Sequence, residues 1–163
     1  MSSNVKSVPN GYHTVTPYII IKNAADAIEF YKKAFNAKEG HRMLGPDNKT
    51  IMHAEITIGN SAIMISEEYK EMNCVSPVSI GGNSVWFYVY VEDVDTTFNQ
   101  AVSAGATIVE PVKDQFWGDR MGSLKDQFGY QWSIATHKKD LSMDEIKKAG
   151  EEFFAEMSKH KDT

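Results

Sequence analysis

Residues 51–66 read Ile-Met-His-Ala-Glu-Ile-Thr-Ile-Gly-Asn-Ser-Ala-Ile-Met-Ile-Ser. Two apolar, β-branched runs, Ile51–Ile58 and Ser61–Ser66, flank Gly59-Asn60, the composition of a tight hairpin. Upstream, Gly45-Pro46-Asp47-Asn48 marks a turn after a strand around Lys38–Met43. Before that, Ile28, Tyr31, Ala34 and Phe35 recur at helical spacing. Ala25–Phe35 therefore reads as an amphipathic helix opened by Asn23-Ala-Ala-Asp. Thr14–Ile21 reads as a strand, at an edge or bulged at Pro17, because proline lacks a ladder donor. The unit is strand, helix, then three strands.

The same order returns after residues 67–83, a polar stretch with Pro77, Gly81 and Gly82 that reads as a connecting loop. Val85–Val91 is a strand. Val94–Ala104 is a helix closed by Gly105, with Glu92-Asp93 placing negative charge at its start. Thr107–Pro111 is a strand, and Met121–Lys125 and Tyr130–Ala135 flank a turn at Asp126-Gln-Phe-Gly129. A shift of 70 sets Ile21 on Val91, Ile28 on Phe98, Ala34 on Ala104 and Gly59 on Gly129. A repeated unit that cannot bury its own face must pair with its copy. The expected fold is α+β: two βαβββ modules with facing curved sheets forming a cavity, plus a C-terminal helix. The divisions are a polar lead-in (1–11), module 1 (12–68), a linker (69–84), module 2 (85–137) and the tail (138–163). In the tail, Ser142-Met-Asp-Glu145 is a capping box. Ile146, Ala149, Phe153, Phe154 and Met157 give one apolar face, for packing on the chain's own domain or for a dimer contact.

At 163 residues and 42% hydrophobic composition, the chain can bury an ordinary core without disulfide or metal staples. Cys74 is the single cysteine, which excludes an intrachain disulfide and points to a reducing compartment. The net charge of −5 argues against nucleic acid as partner, since phosphates call for a cationic face. The N-terminus shows no signal-peptide pattern and no apolar run is long enough to span a membrane. A cytoplasmic location is expected.

Several stretches together resemble the vicinal oxygen chelate superfamily (glyoxalase, bleomycin resistance, dioxygenase), in its PhnB-like branch. They are Gly11-Tyr-His-Thr-Val-Thr-Pro-Tyr18, Ala25-Asp-Ala-Ile-Glu-Phe-Tyr-Lys-Lys-Ala-Phe35, Met52-His-Ala-Glu-Ile56 and Tyr90-Val-Glu-Asp-Val-Asp95. Asp114-Gln-Phe-Trp-Gly-Asp-Arg120, Asp126-Gln-Phe-Gly129 and Trp132-Ser-Ile-Ala-Thr-His137 complete the set, and Asp140-Leu-Ser-Met-Asp-Glu145 continues the match. The resemblance implies two modules around a cavity, a homodimer, and a divalent metal held by His or Glu from the first and last strand of each module. It puts those positions at Thr16, Ile63, Trp86 and Ser133, none of which is a His or a carboxylate. The expectation is therefore a chain with no cofactor at the superfamily's usual metal positions.

A displaced divalent metal remains an alternative, at His53 and Glu55, which point to one face of their strand, with His13 as a third ligand. The same pair could move a proton, or Glu55 could simply hold the imidazole. Gln115-Phe-Trp-Gly-Asp-Arg120 suits a binding edge. Arg120 would fork onto a ligand carboxylate or phosphate, or close an internal ion pair with Asp119 or Glu55. Tyr18, Trp86, Tyr88, Phe116, Trp117, Tyr130 and Trp132 are aromatic candidates for ligand contact. Trp86 and Tyr88 share one strand face opposite Phe87 and Val89. At Tyr130 the branch's pattern has His, and a phenol is no base near neutral pH. His41, His137 and His160 read as surface or strand-end residues.

Three functions fit this reading. The first is binding of a small flat or aromatic molecule without metal. The second is glyoxalase- or dioxygenase-type catalysis at a relocated His53–Glu55 centre. The third is a non-catalytic association module.

Overall fold

A computed structural model describes residues 5–159; the first four residues of the lead-in, and His160, lie outside the described residues. The elements run β1 (Tyr18–Ile21), α1 (Ala24–Phe35), β2 (Lys38–Leu44), β3 (Ile51–Ile58) and β4 (Ser61–Glu67). Then come a short α2 (Pro77–Ile80), β5 (Trp86–Tyr90), α3 (Val94–Ser103), β6 (Thr107–Asp114), β7 (Asp119–Lys125), β8 (Gln131–His137) and α4 (Met143–Lys159). Two four-stranded sheets result, in the orders β1-β4-β3-β2 and β5-β8-β7-β6. The fold is α+β, two βαβββ modules with a C-terminal helix, as the repeat predicts.

Local chemistry sets the boundaries. β1 begins after Pro17, whose carbonyl still accepts from the Met64 amide, so Thr14–Thr16 stay outside the ladder. Asn23 enters α1 in the left-handed region and makes no side-chain cap. Instead the Glu67 carboxylate at the end of β4 accepts from the Asn23 and Ala24 amides at 2.7 and 2.8 Å. An anion at a helix N-terminus satisfies orphan donors and complements the dipole. α3 uses its own cap: Asp93 accepts from the Thr96 amide at 3.0 Å. β6 runs past Pro111 to Asp114 because it is an edge strand, where a missing donor costs no ladder bond. The 67–83 stretch is more ordered than its composition suggests. The Glu68 carboxylate collects the Ser76 amide and the Ser76 and Ser79 hydroxyls at 2.7–2.9 Å.

The modules join through a shared aromatic core. Trp132 lies 4.6 Å from Phe35 and 4.6 Å from Phe87, ring centre to ring centre, and 5.3 Å from Tyr31. α1 also packs on α3, where Gln100 of α3 donates to the Lys33 carbonyl at 2.7 Å and to the Asn36 side chain at 3.0 Å, closing the end of α1. α4 docks on its own chain, with Phe153 and Phe154 at 5.4 and 6.1 Å from Phe116. Its capping box forms as read, with the Ser142 amide donating to Glu145 at 2.8 Å.

Candidate functional site

A cleft of about 1300 Å³ opens between the modules. Ser61–Ile63 of β4 line it from module 1, Phe87–Tyr90 of β5 line it from module 2, and Phe35 and Trp132 also border it. The β5 side is the free edge of its sheet, since β5 pairs only with β8.

Strand alternation sends Phe87 and Val89 into the core and leaves Trp86, Tyr88 and Tyr90 on the opposite face. These three are 58%, 45% and 62% exposed. On that face they meet β8 and β7: Tyr88 stands beside Ser133, Ser133 beside Ser123, and His137 beside Asp119. Asp119 is buried and is the hub. Its Oδ2 accepts from the Tyr88 hydroxyl at 3.1 Å, the Tyr90 hydroxyl at 3.0 Å and the Trp117 indole at 3.1 Å. Its Oδ1 faces His137 Nδ1 at 2.8 Å, and His137 Nε2 faces Asp140 at 2.9 Å. Burial pushes the Asp119 carboxyl up, but the bonds from His137, Tyr90, Tyr88 and Trp117 outweigh it and hold it below its ordinary value. Asp119 and Asp140 together raise the His137 imidazole. Burial and the Asp119 charge raise both tyrosines. The result is an ionised, fully bonded carboxylate fixing two phenols and an indole in place.

A second polar group lies on the outer face of sheet 1. His53 Nε2 is 3.2 Å from Glu55 Oε1, and the Tyr18 ring stacks on His53 at 5.8 Å with planes 16° apart. The Tyr12 hydroxyl, with help from His53 and His41, draws Glu55 below its ordinary pKa against partial burial. His13 borders the cleft, which His53 and Glu55 do not line. Among the described residues no three His, Cys, Asp or Glu side chains converge as metal ligands.

Five expected positions are corrected. Ile63 does not face the open side of its sheet: it is buried opposite Ile56, and Met64 holds the outward place beside Tyr18. With Met64 in place of Ile63, the positions that the resemblance implies become Thr16, Met64, Trp86 and Ser133. A hydroxyl, a thioether, an indole and a second hydroxyl do not suit a hard or borderline divalent cation. Trp132 borders the cleft but is packed into the core and offers no open ring face: it is 1% exposed, with its indole donating to Asp126 at 2.9 Å. Tyr130 is buried and its hydroxyl donates to the Ile20 carbonyl at 3.0 Å, with burial pushing its pKa up to about 12. Phe116 is taken up by α4. Arg120 pairs with neither Asp119 nor Glu55: it grips Asp95 through two bonds at 2.7 and 2.8 Å and reaches Asp114 at 3.2 Å.

In the sequence, Asp119 reads only as an ion-pair partner for Arg120, His137 reads as a surface or strand-end residue and Tyr90 is assigned no role. The signal was present. Continuing the Trp86–Tyr88 alternation adds Tyr90, and pairing the strands across the Asp126–Gly129 turn sets Asp119 against His137.

The comparisons agree with this architecture. Residues 12–134 match the model of the Glyoxalase/Bleomycin resistance protein/Dioxygenase superfamily, and the chain belongs to that family. It is 41% identical over 138 residues to an uncharacterized protein of Mycobacterium bovis, covering 83% of this chain and 90% of that one. The X-ray structure of an Arabidopsis thaliana gene product superposes with a TM-score of 0.62 at 24% identity, covering 76% and 98% of the two chains. A PhnB protein from Bacillus cereus gives 0.60 at 21%, covering 76% and 99%. At these identities the two structures speak for the fold, and this fold hosts many chemistries.

Proposed function

We propose that the chain binds a small planar molecule on the Trp86–Tyr88–Tyr90 face, at the mouth of the inter-module cleft, without a metal at the superfamily's usual positions. The observation that carries this reading is the Asp119 hub. A buried carboxylate that fixes the two phenols at the rim of a 1300 Å³ cleft, and the Trp117 indole beside them, holds ring faces ready for a flat partner. Exposed aromatics fixed in advance lose little freedom on binding. The mouth of a sheet-lined hollow with a few convergent polar groups is a usual ligand site. The resemblance further implies a homodimer. The cytoplasm remains the location inferred from cysteine usage; no helix among the described residues is long and apolar enough to cross a membrane.

The test is a titration of tryptophan emission with a panel of planar aromatic compounds. The reading expects saturable quenching that the Tyr88→Leu/Tyr90→Leu double variant abolishes. A flat response across the panel overturns it.

A second reading, proton-transfer catalysis at His53–Glu55, is favoured by the 3.2 Å contact and by the Tyr12 hydroxyl that keeps Glu55 ionised. An ionised carboxylate beside an imidazole can orient it as a base.

A further inference from the structure

We propose that the Trp86–Tyr88–Tyr90 face selects planar organic cations over neutral or anionic molecules of the same shape. This rests on the binding reading above and narrows its ligand class.

The reason is the direction of the hydrogen bonds. An ionised carboxylate only accepts, so the Tyr88 and Tyr90 hydroxyls must donate to Asp119 at 3.1 and 3.0 Å. Each phenol has one proton, and both protons are spent inward. The Trp117 indole has one N–H, spent on the same oxygen. Both ring nitrogens of His137 are engaged by carboxylates. What these groups offer outward is phenol lone pairs and ring faces. Aromatic faces carry the negative part of the ring quadrupole.

The charges around the cleft point the same way. Glu92 and Asp93 line it, and Lys38 is the one Lys or Arg among its described lining residues. His13 and His137 also border it. His137 sits between Asp119 and Asp140, so even protonated it leaves that trio with a net negative charge. An incoming anion finds no spare donor among Tyr88, Tyr90, Trp117 and His137. A delocalised cation finds π faces, acceptor oxygens and a carboxylate behind them, the elements of cation–π recognition.

The test is calorimetric titration of the full chain at pH 8 with three probes of one shape: N-methylacridinium, acridine and acridine-9-carboxylate. The expected order is cation, neutral, anion, with the cation bound about tenfold more tightly than the neutral ring. Trp86→Leu and Tyr90→Leu remove exposed rings and keep the net charge, so each should bring that ratio below about threefold. Asp119→Asn should do the same where it folds. Equal binding of cation and neutral ring overturns the charge selection and leaves planar binding standing. A preference that survives both leucine variants overturns it too, since bulk charge then explains it. No binding of any probe overturns both readings.

Discussion

The Tyr31 hydroxyl donates to the Asp126 carboxylate at 2.9 Å, across 95 residues of chain and across the boundary between the modules. The same carboxylate accepts from the Trp132 indole at 2.9 Å and from the Phe128 and Tyr130 amides at 2.9 and 2.8 Å. One side chain thus shapes the β7–β8 turn and ties helix α1 of module 1 to it. Removing one partner of a buried bond costs more than the bond's net worth, because the other group stays desolvated. Tyr31→Phe is therefore expected to destabilise the chain by about 1–2 kcal/mol, a fall in melting temperature of roughly 2–8 °C at this chain length. Thermal denaturation followed by circular dichroism reads it. An unchanged midpoint would mean that the modules do not depend on this link.

Gly118 has φ +101°, and an added Cβ would lie 2.4 Å from the Lys139 carbonyl oxygen. That carbonyl is backbone and cannot swing aside, while Gly118 itself accepts from the Lys138 and Lys139 amides. Gly118→Ala is expected to cost about 2 kcal/mol or more and to pull Trp117 off Asp119. Melting reports the first effect and the Trp117 emission maximum the second. A variant with unaltered melting and emission would show that the turn has room the geometry denies.

The His137 imidazole sits between Asp119 and Asp140, and both raise its pKa above the ordinary value of 6.5. The charged partnership stabilises the folded state fully below about pH 6.5 and is lost as pH rises through the higher folded-state value. The melting temperature of the native chain relative to His137→Gln should therefore be highest on the acid side of this window and shrink as pH rises through it. Proton NMR of the His137 ring should place its midpoint above 6.5. A midpoint at or below the ordinary value contradicts the geometry.

Much of the fold was legible because it is written in short-range pattern. The Gly59-Asn60 and Asp126–Gly129 turns, the α1 and α3 periodicities and the Ser142–Glu145 box all came out where the residues put them. The site was less legible. Its hub joins β5, β7 and β8, so Asp119 looks like an ordinary acidic residue until the hairpin register sets it against His137. Trp132 and Tyr130 were misplaced for a related reason. An aromatic on a strand gives its face only once the alternation of its neighbours is fixed, and Ile134 fixes Trp132 inward. The module repeat is also not uniform. The helices align at a shift of 70, but the buried faces of β4 and β8 are one residue out of step, which is why Met64, and not Ile63, faces outward. The 67–83 stretch hid its order because Glu68 holds it through bonds eight and eleven residues away.

Helix α4 meets its own chain through Phe153 on Phe116. Phe153→Ala should free the helix locally: its amides lose hydrogen-exchange protection while those of β3, β4, β7 and β8 keep theirs. Oligomeric mass by light scattering should not change. A drop in mass would instead make α4 the association surface.

Three tryptophans stand in three surroundings: Trp86 on the open face, Trp117 on the Asp119 hub and Trp132 in the core. Their indole N–H resonances, followed by two-dimensional NMR during a titration with N-methylacridinium, test the planar-binding site most directly. The account predicts saturable shifts at Trp86 and Trp117 with one common dissociation constant, and a still Trp132. No shift at the first two, or a response led by Trp132, would contradict it.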